Sequence, residues 1–399
     1  MILNKFSYTI ILLAIFVFFS CEKTELNEPV SSASNLPFVD SSANNPKNRT
    51  YQLLLDKYVG EGLPGLVALI RTPDDGLWIG TSGYARIEDK TPMEKGSVLY
   101  SASVGKTYTS VAIMLLQEEG KLDIDDKMNK YLSKDVCDKI PNGNKVTIRQ
   151  LLNMSSGIPN SDAQMKFISS ILNDPFSFTT KDAIEVVYNL RPYYEPGEGA
   201  NYSSTNTNLL TYIIDEVTGE PHCKYFETHI IAPLGVQNTY KGQEGLPKPQ
   251  GLVNGYFDRH GDGKIENVSD INYHLTTVLT GSAGMMATAY DYYVFIEALM
   301  KGNLVSPQSL QEMTTWNSNY ESSSGTTYGL GLFRRTGPKY GYKIGHDGDG
   351  MGNGIKMFYF PEHDITIVTA TNIGTFLSSG LSNKFYIDFQ DELLDIVFD

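Results

Sequence analysis

The stretch YSASVGK, residues 100–106, decides how the rest of this sequence is interpreted. It places Ser103 three residues before Lys106, at the start of a segment, residues 106–119, whose apolar pattern predicts a helix. Residues three apart share one face of a helix, so both side chains are expected to point the same way. A backbone N–H in the first turn has no intrahelical partner and can face a developing negative charge. This arrangement suits a serine nucleophile with a lysine base.

The same stretch also has a purely structural interpretation. Ser103 can be an ordinary N-cap or first-turn serine, with Lys106 a solvated charge. A serine three residues before a lysine also occurs at Ser20 and Lys23, where we interpret the spacing as chance. So short a pattern arises easily at random, and the rest of the chain has to decide between the two interpretations.

The composition is that of a folded globular protein. The 399 residues are enough for two domains or one large domain with a sizeable core. Hydrophobic residues make up 41% and charged residues 20%, which are ordinary values. The 32 basic and 46 acidic side chains give a net charge of −14. This acidity, without a basic stripe interleaved with aromatic residues, argues against a nucleic-acid partner.

The N-terminal residues predict export from the cytoplasm. Residues 1–20 contain a continuous apolar run, residues 10–19, that is too short for a comfortable transmembrane helix. Ser20 directly precedes Cys21, as in a bacterial lipoprotein signal peptide that is cleaved before a lipid-modified cysteine. We expect a lipid anchor on Cys21 at the cell envelope, periplasmic or outer-surface, and a flexible tether over residues 21–49. A plain secretory signal with a chance cysteine is the alternative.

Three further features receive a structural interpretation. Cys137 and Cys223 are expected to be separate thiols, although an oxidising compartment would permit a disulfide. No cysteine and histidine cluster has the spacing of zinc ligands. Residues 258–266 mimic the start of a calcium loop, but His260 and Ser269 occupy positions that require acidic ligands. We therefore prefer a glycine-rich hairpin turn there, and we expect no cofactor and no metal.

Periodicity and turn residues predict a mixed fold. We expect strands at residues 66–70, 77–81, 328–333, 342–345, 355–360 and 365–370. Predicted helices cover residues 51–58, 106–119, 122–132, 147–152, 181–189, 206–216, 287–301 and 382–397. The strands lie at both ends of the sequence, which predicts an α+β fold with one sheet built from residues 50–119 and 281–399. Residues 120–280 would form an inserted, mainly helical domain.

Two later segments contain polar or glycine-rich stretches that are expected to lie beside Ser103 in the folded chain. In residues 194–206, Tyr202 stands in a Gly-, Ser- and Asn-rich loop before a predicted helix, where its hydroxyl can exchange a proton with a lysine. In residues 345–354, frequent glycines would let the backbone pass close to a ligand. The structural alternatives are a loop aromatic that covers the core and a flexible hairpin.

Together and in this order, the motifs resemble the serine β-lactamase and penicillin-binding protein family, in which Ser-x-x-Lys has companion motifs. The resemblance is greatest to the branch with class C β-lactamases, D-alanyl-D-alanine carboxypeptidases and related esterases, and it extends from about residue 51 to the C-terminus. Other matching motifs are LPG at 63–65, GYA at 83–85, SSGIP at 155–159, PGE at 196–198, GSAGMM at 281–286 and YGLG at 328–331. The resemblance implies a β-lactamase/transpeptidase-like fold, with an antiparallel sheet flanked by helices.

The resemblance also implies a serine hydrolase that forms an acyl-enzyme. Ser103 would be the acylated nucleophile, and Lys106 would take its proton, which requires a lowered lysine pKa. Tyr202 would pass a proton to the leaving group and then activate the deacylating water. The backbone N–H groups of Ser103 and Asp349 would form the oxyanion hole.

The third motif departs from the family pattern. His346, Asp347 and Gly348 would replace the Lys-Thr-Gly triplet on the strand that lines the site. Asp347 stands where a threonine often binds the substrate carboxylate, and its negative charge would repel a carboxylate. Ser204 stands where the family usually has an asparagine that holds the lysine and the substrate amide. Both changes favour an esterase, or a peptidase for substrates with a free amine, over a β-lactamase or a carboxypeptidase.

A function of another class remains an alternative at this stage. A non-catalytic penicillin-binding or sensor protein could keep the fold. Ser204 and the acidic third motif are the departures from the family pattern that suggest this alternative. For an enzyme, the expected partners are a small-molecule or peptide substrate and, through Cys21, a membrane. The sequence does not predict the substrate or the oligomeric state.

Overall fold

The computed structural model describes residues 36–320, 325–376 and 381–399. The predicted signal peptide, the predicted lipid anchor at Cys21 and residues 21–35 of the predicted tether lie outside the described residues.

The end of the predicted tether packs on the domain. Leu36 and Phe38 contact the main hydrophobic core, and the Ser42 hydroxyl accepts the backbone N–H of Ile79 at 2.9 Å. The first helix begins at Asn48. Ordered structure therefore starts earlier than the polar composition indicates, because the half-buried side chains of Leu36 and Phe38 hold this segment against the domain.

The described residues form thirteen strands and fourteen α-helices. The strands are β1 (Gly65–Thr72), β2 (Gly76–Arg86), β3 (Thr91–Pro92), β4 (Val98–Tyr100), β5 (Thr239–Lys241), β6 (Tyr256–Phe257), β7 (Glu266–Asn267), β8 (Met285–Thr288), β9 (Thr326–Tyr328), β10 (Phe333–Gly337), β11 (Gly341–Asp349), β12 (Gly354–Phe360) and β13 (Ile365–Thr371). The helices are α1 (Asn48–Glu61), α2 (Gly105–Glu118), α3 (Lys134–Lys139), α4 (Ile148–Leu152), α5 (Met165–Asn173), α6 (Asp182–Glu185), α7 (Ser204–Thr218), α8 (His222–Phe226), α9 (Ala232–Leu234), α10 (Ser269–Val278), α11 (Thr280–Ala283), α12 (Ala289–Met300), α13 (Pro307–Met313) and α14 (Leu381–Phe398).

Eight strands form the central antiparallel sheet, in the order β3-β2-β1-β13-β12-β11-β10-β9. The two ends of the chain meet in it, because β1 pairs with β13 so that Leu66 lies opposite Thr371. Every residue of β13 is buried, as expected for a central strand covered on both faces. The predicted α+β fold, with an antiparallel sheet flanked by helices, is confirmed.

Helices cover both faces of the sheet. On one face, α1 packs against α14, and Leu55 and Phe389 belong to the core between these helices and the sheet. On the other face, α12 packs on β12 and β13, and Val111 of α2 and Phe295 of α12 belong to the larger core. The sheet is therefore the middle layer of the domain.

Helix α2 is buried almost all round. Only Leu115, Gln117 and Glu118 of its residues are not fully buried. Its polar side chains bond to neighbouring segments, since the Thr107 hydroxyl donates to the Gly331 carbonyl and the Thr109 hydroxyl to the Gly281 carbonyl, each at 2.8 Å. These contacts fix the helix that starts just after Ser103.

Some predicted elements differ from the structure. Residues 122–132 form a loop with a single 3-10 turn rather than the predicted helix, because the Asp123 carboxylate accepts the Asp125 N–H in a competing local turn. The predicted strand 328–333 is broken between β9 and β10 at Gly331, whose φ is +75°. A Cβ atom at this position would lie 2.0 Å from the Ser110 Oγ, so only glycine fits here. The predicted helix 181–189 is shorter and ends at Glu185.

The structural interpretations of the cysteines and of residues 258–266 are confirmed. Cys137 and Cys223 are separate thiols. Residues 258–266 connect β6 to β7 as a hairpin, and the Asp258 carboxylate accepts two backbone N–H groups in the turn. Within the described ranges, no group of three or more His, Cys, Asp or Glu side chains is arranged to hold a metal ion. None of the described helices combines the length and the apolar character needed to cross a membrane.

Candidate active site

Ser103 lies in the tight turn between β4 and α2. A 3-10 turn, Ala102–Val104, leads directly into α2, and Ala102 has a φ of +40°, a region that non-glycine residues rarely adopt. The buried Ser101 hydroxyl holds this turn, because it accepts the Met285 N–H at 3.2 Å and donates to the Ala283 carbonyl at 3.3 Å. The strained turn thus presents the Ser103 hydroxyl at a fixed position.

Lys106 reaches Ser103 as predicted. The Lys106 Nζ lies 3.0 Å from the Ser103 Oγ and 3.5 Å from the carbonyl oxygen of Ser282. The Lys106 side chain is buried, and its ammonium lies 4.8 Å from the centre of the Tyr202 ring. Burial lowers the pKa of Lys106 to about 8, against the opposing effect of the Asp162 carboxylate. A lysine with this pKa can accept the proton of Ser103 near neutral pH.

Tyr202 is the second predicted side chain that reaches the nucleophile. It stands just before α7, with its ring stacked on Phe333 and edge-on to Tyr328, both with centroids 6.0 Å away. Burial raises the pKa of Tyr202 well above 10, Tyr328 adds to this rise, and the neighbouring Ser103 hydroxyl opposes it. The hydroxyl is therefore protonated at neutral pH, and within the described part of the chain it is buried without a hydrogen-bond partner. It is free to relay a proton.

His346 lies behind the site rather than in it. The side chain is fully buried on β11, where its Nε2 lies 3.2 Å from the Tyr328 hydroxyl. Burial lowers the pKa of His346 to about 3, so the imidazole is neutral. Its ring centroid is 6.1 Å from that of Tyr202. His346 thus contributes to the aromatic wall behind Tyr202 and borders neither of the cavities at Ser103, and the catalytic role that the resemblance implies for it stays a prediction.

Asp347 does not present a free negative charge. Its carboxylate is 2.7 Å from the Arg335 guanidinium on β10 and 3.2 Å from the Lys356 ammonium on β12. Burial alone would raise the pKa of Asp347, but Lys356 and Arg335 hold it well below its usual value. The expectation that Asp347 repels a substrate carboxylate is therefore wrong, since two cations on neighbouring strands compensate its charge.

Gly348 brings β11 against the turn that carries the nucleophile. A Cβ atom at this position would lie 2.3 Å from the Ser101 carbonyl oxygen and 3.0 Å from the Ala102 Cβ. Gly348 is buried, and the absence of a side chain permits this close approach. Its placement among the substrate-binding residues stays a prediction.

We expect Gly348→Ala to move β11 away from Ser103. The clash is with backbone, so kcat should fall at least about tenfold and unfolding should become easier by about 1–3 kcal/mol. Steady-state kinetics and urea unfolding measure the two effects. Gly60→Ala is the matched control, because a Cβ there meets nothing within 4 Å and should leave kcat unchanged. Wild-type kcat in the Gly348 variant would show that the close approach is unimportant.

Ser204 positions the carboxylate of Asp162, a residue for which the sequence predicted no role. Ser204 is fully buried and its hydroxyl donates to Asp162, while its backbone N–H donates to the Asn160 side chain at 2.9 Å. Ser204 also borders the narrow cavity beside Ser103, so its predicted contact with substrate stays a prediction, in which its oxygen could only accept a hydrogen bond. Asp162 lies seven residues after the SSGIP motif begins, between the predicted helices 147–152 and 181–189, in a segment to which no element and no role was assigned.

Replacing Asp162 with asparagine should shift the pH dependence of the reaction. The negative charge of Asp162 raises the pKa of Lys106. Removal of this charge should therefore lower the Lys106 pKa from about 8 to a smaller value and move the acid limb of kcat/KM to lower pH. A pH profile of kcat/KM measures this shift. Asp135→Asn, a change at an exposed ion pair on α3, should leave the limb in place. An unchanged limb in Asp162→Asn would mean that Lys106 is not the titrating base.

Two cavities meet at Ser103. The narrow one, of about 60 Å³, has a mostly apolar lining: Phe167, Ile171, Leu275, Leu279, Met351 and Phe376. The wide cleft, of about 550 Å³, is bordered by Tyr202, Tyr320, Phe333, Arg335 and Asp347. Ser103, Asp162 and Asp349 border both cavities. A substrate bound across Ser103 can thus place its two halves in different surroundings. Ser103 and Asp349, whose N–H groups are predicted to form the oxyanion hole, both lie at this junction.

Comparison with solved structures supports this description of the fold. A D-stereospecific amidohydrolase from Streptomyces sp. is 28% identical with a TM-score of 0.72, and the match covers 82% of this chain and 94% of that chain. A D-amino acid amidase from Ochrobactrum anthropi SV3 has the same fold, with 24% identity, a TM-score of 0.75 and coverage of 88% and 98%.

Comparison of sequences gives the family. A penicillin-binding protein of Bacillus subtilis is 27% identical over 308 residues, which are 75% of this chain and 66% of that protein. The chain thus spans slightly less than two thirds of the length of that relative. The family model described as Beta-lactamase matches residues 52–391. Since this match covers most of the chain, as the resemblance predicted, the protein belongs to the Beta-lactamase family.

Proposed function

We propose that the protein is a serine amidohydrolase that cleaves, through an acyl-enzyme, an amide next to a free amine and an apolar side chain. Substrates of this class are D-amino acid amides and peptides with an N-terminal D-residue. The D-configuration rests on the similarity to the D-stereospecific amidohydrolase. The other features of the substrate rest on the residues around Ser103.

Asp162 is the observation that carries this proposal. Its carboxylate is half-buried at the junction of the two cavities, and it borders both beside Ser103. Ser204 donates a hydrogen bond to one of its oxygens, which fixes its orientation. A carboxylate held in this way can pair with the ammonium group of a substrate, and such a charge-assisted hydrogen bond is stronger than a neutral one.

The narrow cavity supplies the second element of recognition. Its apolar lining between α5 and α10 suits a hydrocarbon or aromatic side chain that is attached next to the scissile carbonyl. With the amine at Asp162 and the side chain in this cavity, the carbonyl carbon would face the Ser103 hydroxyl. The leaving group would then extend into the wide cleft.

The reaction follows from these placements. The Ser103 Oγ attacks the amide carbon while the neutral Lys106 amine takes its proton, and the N–H groups of Ser103 and Asp349 stabilise the oxyanion. The Tyr202 hydroxyl passes a proton to the leaving nitrogen, the C–N bond breaks and the ester to Ser103 remains. A water molecule then attacks the ester, gives up a proton through the same groups, and releases the acid.

The test is a comparison of four substrates. D-phenylalanine amide should be hydrolysed with a kcat/KM at least tenfold above those of its N-acetyl derivative and of L-phenylalanine amide. D-phenylalanine methyl ester should also be cleaved, because the acyl part is the same. In Asp162→Asn, the preference for the free amine over the N-acetyl group should fall to about one. Equal rates on the free and acetylated amides in the wild type would contradict the proposal.

A carboxypeptidase or β-lactamase is the second candidate function. Arg335 in the wide cleft favours it, because a cation there can bind the carboxylate that both substrate classes carry. Efficient hydrolysis of nitrocefin, or of an N-acylated peptide that ends in D-Ala-D-Ala, with poor hydrolysis of D-phenylalanine amide would favour this candidate. Turnover of any of these substrates by the wild type would eliminate a non-catalytic sensor.

We also propose that the protein is attached to the cell envelope by a lipid on Cys21. The apolar run followed by Ser20 and Cys21 supports this location. Expression of the full chain in a bacterium and detergent fractionation test it. The wild type should partition with membranes and Cys21→Ala should be soluble, whereas membrane association of both variants would contradict the lipid anchor.

A further inference from the structure

Helix α11 and the residue after it form a turn whose carbonyl oxygens contact the residues around the nucleophile. In this α11 turn, residues 280–284, each of the five carbonyl oxygens accepts a hydrogen bond from outside the turn. The donors, in the order of the acceptors, are the Lys241 amine, the Thr109 hydroxyl, the Lys106 amine, the Ser101 hydroxyl and the Gly242 N–H. The α11 turn therefore connects the base Lys106 to a second lysine outside the site.

The Ser282 carbonyl of this turn orients the Lys106 amine. The Lys106 Nζ lies 3.0 Å from the Ser103 Oγ and 3.5 Å from the Ser282 oxygen. A neutral amine has one lone pair besides its N–H groups, so an N–H that points to Ser282 leaves the lone pair available to the Ser103 proton. The separation of 3.5 Å is long for a hydrogen bond. A small displacement of the turn therefore decides whether this contact is kept.

Lys241 and the residue after it hold both ends of the α11 turn. The Lys241 Nζ donates to the Thr280 carbonyl, and the Gly242 N–H donates to the Gly284 carbonyl, each at 2.7 Å. A Cβ atom at Gly284 would lie 2.1 Å from the Lys241 Nζ, so the amine packs directly on the backbone there. Burial lowers the pKa of Lys241 to about 7. The charged and the neutral amine both carry N–H groups that can donate to Thr280.

Close packing leaves the α11 turn little room to relax. Helix α11 packs against both α2 and α7. A Cβ atom at Gly281 would lie 2.0 Å from the Thr207 carbonyl oxygen of α7. Because tightly packed elements transmit a displacement instead of absorbing it, a shift at Thr280 is passed on to Ser282.

We propose that Lys241 is a positioning residue for the catalytic base Lys106. Its hydrogen bond to Thr280 keeps the Ser282 carbonyl within reach of the Lys106 amine. This inference rests on the proposed function, which takes Ser103 as the nucleophile and Lys106 as its base, but it is independent of the choice of substrate. Lys241 borders neither cavity at Ser103, so it acts through the α11 turn and not on the substrate.

The first test is the rate at which a fluorophosphonate labels Ser103, because this reaction needs the nucleophile and its base but no recognition of a particular substrate. Lys241→Met keeps a similar length without an N–H group. It should lower the labelling rate about tenfold, since displacement of a reacting group by a fraction of an ångström costs rates of this order. On D-phenylalanine amide, kcat should fall by the same factor while KM stays within about twofold. A wild-type labelling rate in Lys241→Met would overturn the inference.

Lys224→Met is the matched control. Lys224 and Lys241 border the same third cavity, of about 880 Å³. The Lys224 ammonium pairs with Glu220 at 2.9 Å instead of contacting the α11 turn. Its replacement should leave the labelling rate unchanged, and a single cooperative urea transition shows that each variant is folded in the assay.

Chemical rescue separates positioning from a structural role. Lys241→Ala removes the part of the side chain that n-propylamine reproduces, and the third cavity lets this amine reach the vacated position. The slow labelling of Lys241→Ala should increase at least about fivefold with n-propylamine. The wild type and Lys241→Met, in which a side chain fills the position, should not respond. Absence of rescue in Lys241→Ala would overturn the inference.

Labelling of the wild type distinguishes the two levels of the account. Labelling of Ser103 that does not depend on Lys241 overturns only this inference. A wild type that no fluorophosphonate labels at Ser103 overturns the proposed function and this inference together.

Discussion

Ser103→Ala should lower kcat/KM on D-phenylalanine amide by at least about four orders of magnitude, because removal of a catalytic nucleophile leaves only binding and oxyanion stabilisation. The substitution deletes one hydroxyl from a half-buried position and leaves the Ala102 turn and its Ser101 hydrogen bonds intact. Initial rates at high enzyme concentration measure the residual activity.

The matched control for this substitution is a serine outside the site, Ser133, whose hydroxyl caps the start of a helix. Ser133→Ala removes the N-cap of α3, which lies outside both cavities, and it should cost about 1 kcal/mol of stability with unchanged kcat/KM. Ser103→Ala should unfold at nearly the wild-type urea concentration. Activity of a cleanly purified Ser103→Ala protein within tenfold of the wild type would rule out Ser103 as the nucleophile.

Lys106→Met should produce an inactive but more stable protein. Loss of a general base lowers rates by about two to four orders of magnitude, so kcat should fall by that amount while the fold is kept. Methionine has a similar length and carries no charge into the buried site. Steady-state kinetics and urea unfolding on the same preparation separate the catalytic effect from a folding defect.

The pH dependence of this stabilisation has a defined sign. Burial lowers the folded-state pKa of Lys106 from 10.5 to about 8, so folding is penalised while the amine is protonated. The penalty is full below pH 8, where it amounts to up to about 3 kcal/mol, and it disappears as the pH rises towards 10.5. Lys106→Met should therefore exceed the wild type in stability at pH 7 by more than at pH 10. A loss of stability at pH 7 would contradict the cost assigned to the buried amine.

The same pKa predicts the acid limb of the wild-type activity. As the pH rises through about 8, the Lys106 amine loses its proton and becomes able to accept that of Ser103. The value of kcat/KM should thus increase through this range and then level off. The limb should be absent from the residual activity of Lys106→Met.

Much of the centre of the fold could be predicted from local patterns. The spacing of Ser103 and Lys106 on one helix face correctly predicted their contact, since i and i+3 geometry is set by the helix itself. A helix was predicted over residues 147–152, and Thr147 caps α4 there in a complete capping box with Gln150. The strands at both ends of the chain predicted a shared sheet, because separate short strands need partners to bury their apolar faces.

The charged groups of the site could not be assigned from local patterns. Asp162 and Arg335 come from distant segments and meet the nucleophile only through tertiary packing. Asp347 was read as a free charge because its two partners lie on the strands beside it rather than beside it in the sequence. The resemblance implied a place in the site for His346 through the third motif, but its burial and its contact with Tyr328 become visible only in the folded chain. In each case, pairing between strands decides the role of a residue that the sequence presents alone.

The covalent intermediate on Ser103 is the central claim, and mass spectrometry of the acid-quenched reaction tests it most directly. The full-length protein is mixed with D-phenylalanine p-nitroanilide, quenched during the first turnover and digested. We expect a phenylalanyl group on the peptide that contains Ser103, formed together with a burst of p-nitroaniline and absent from Ser103→Ala. Turnover without an adduct despite a burst, or an adduct on a different peptide, would contradict this claim.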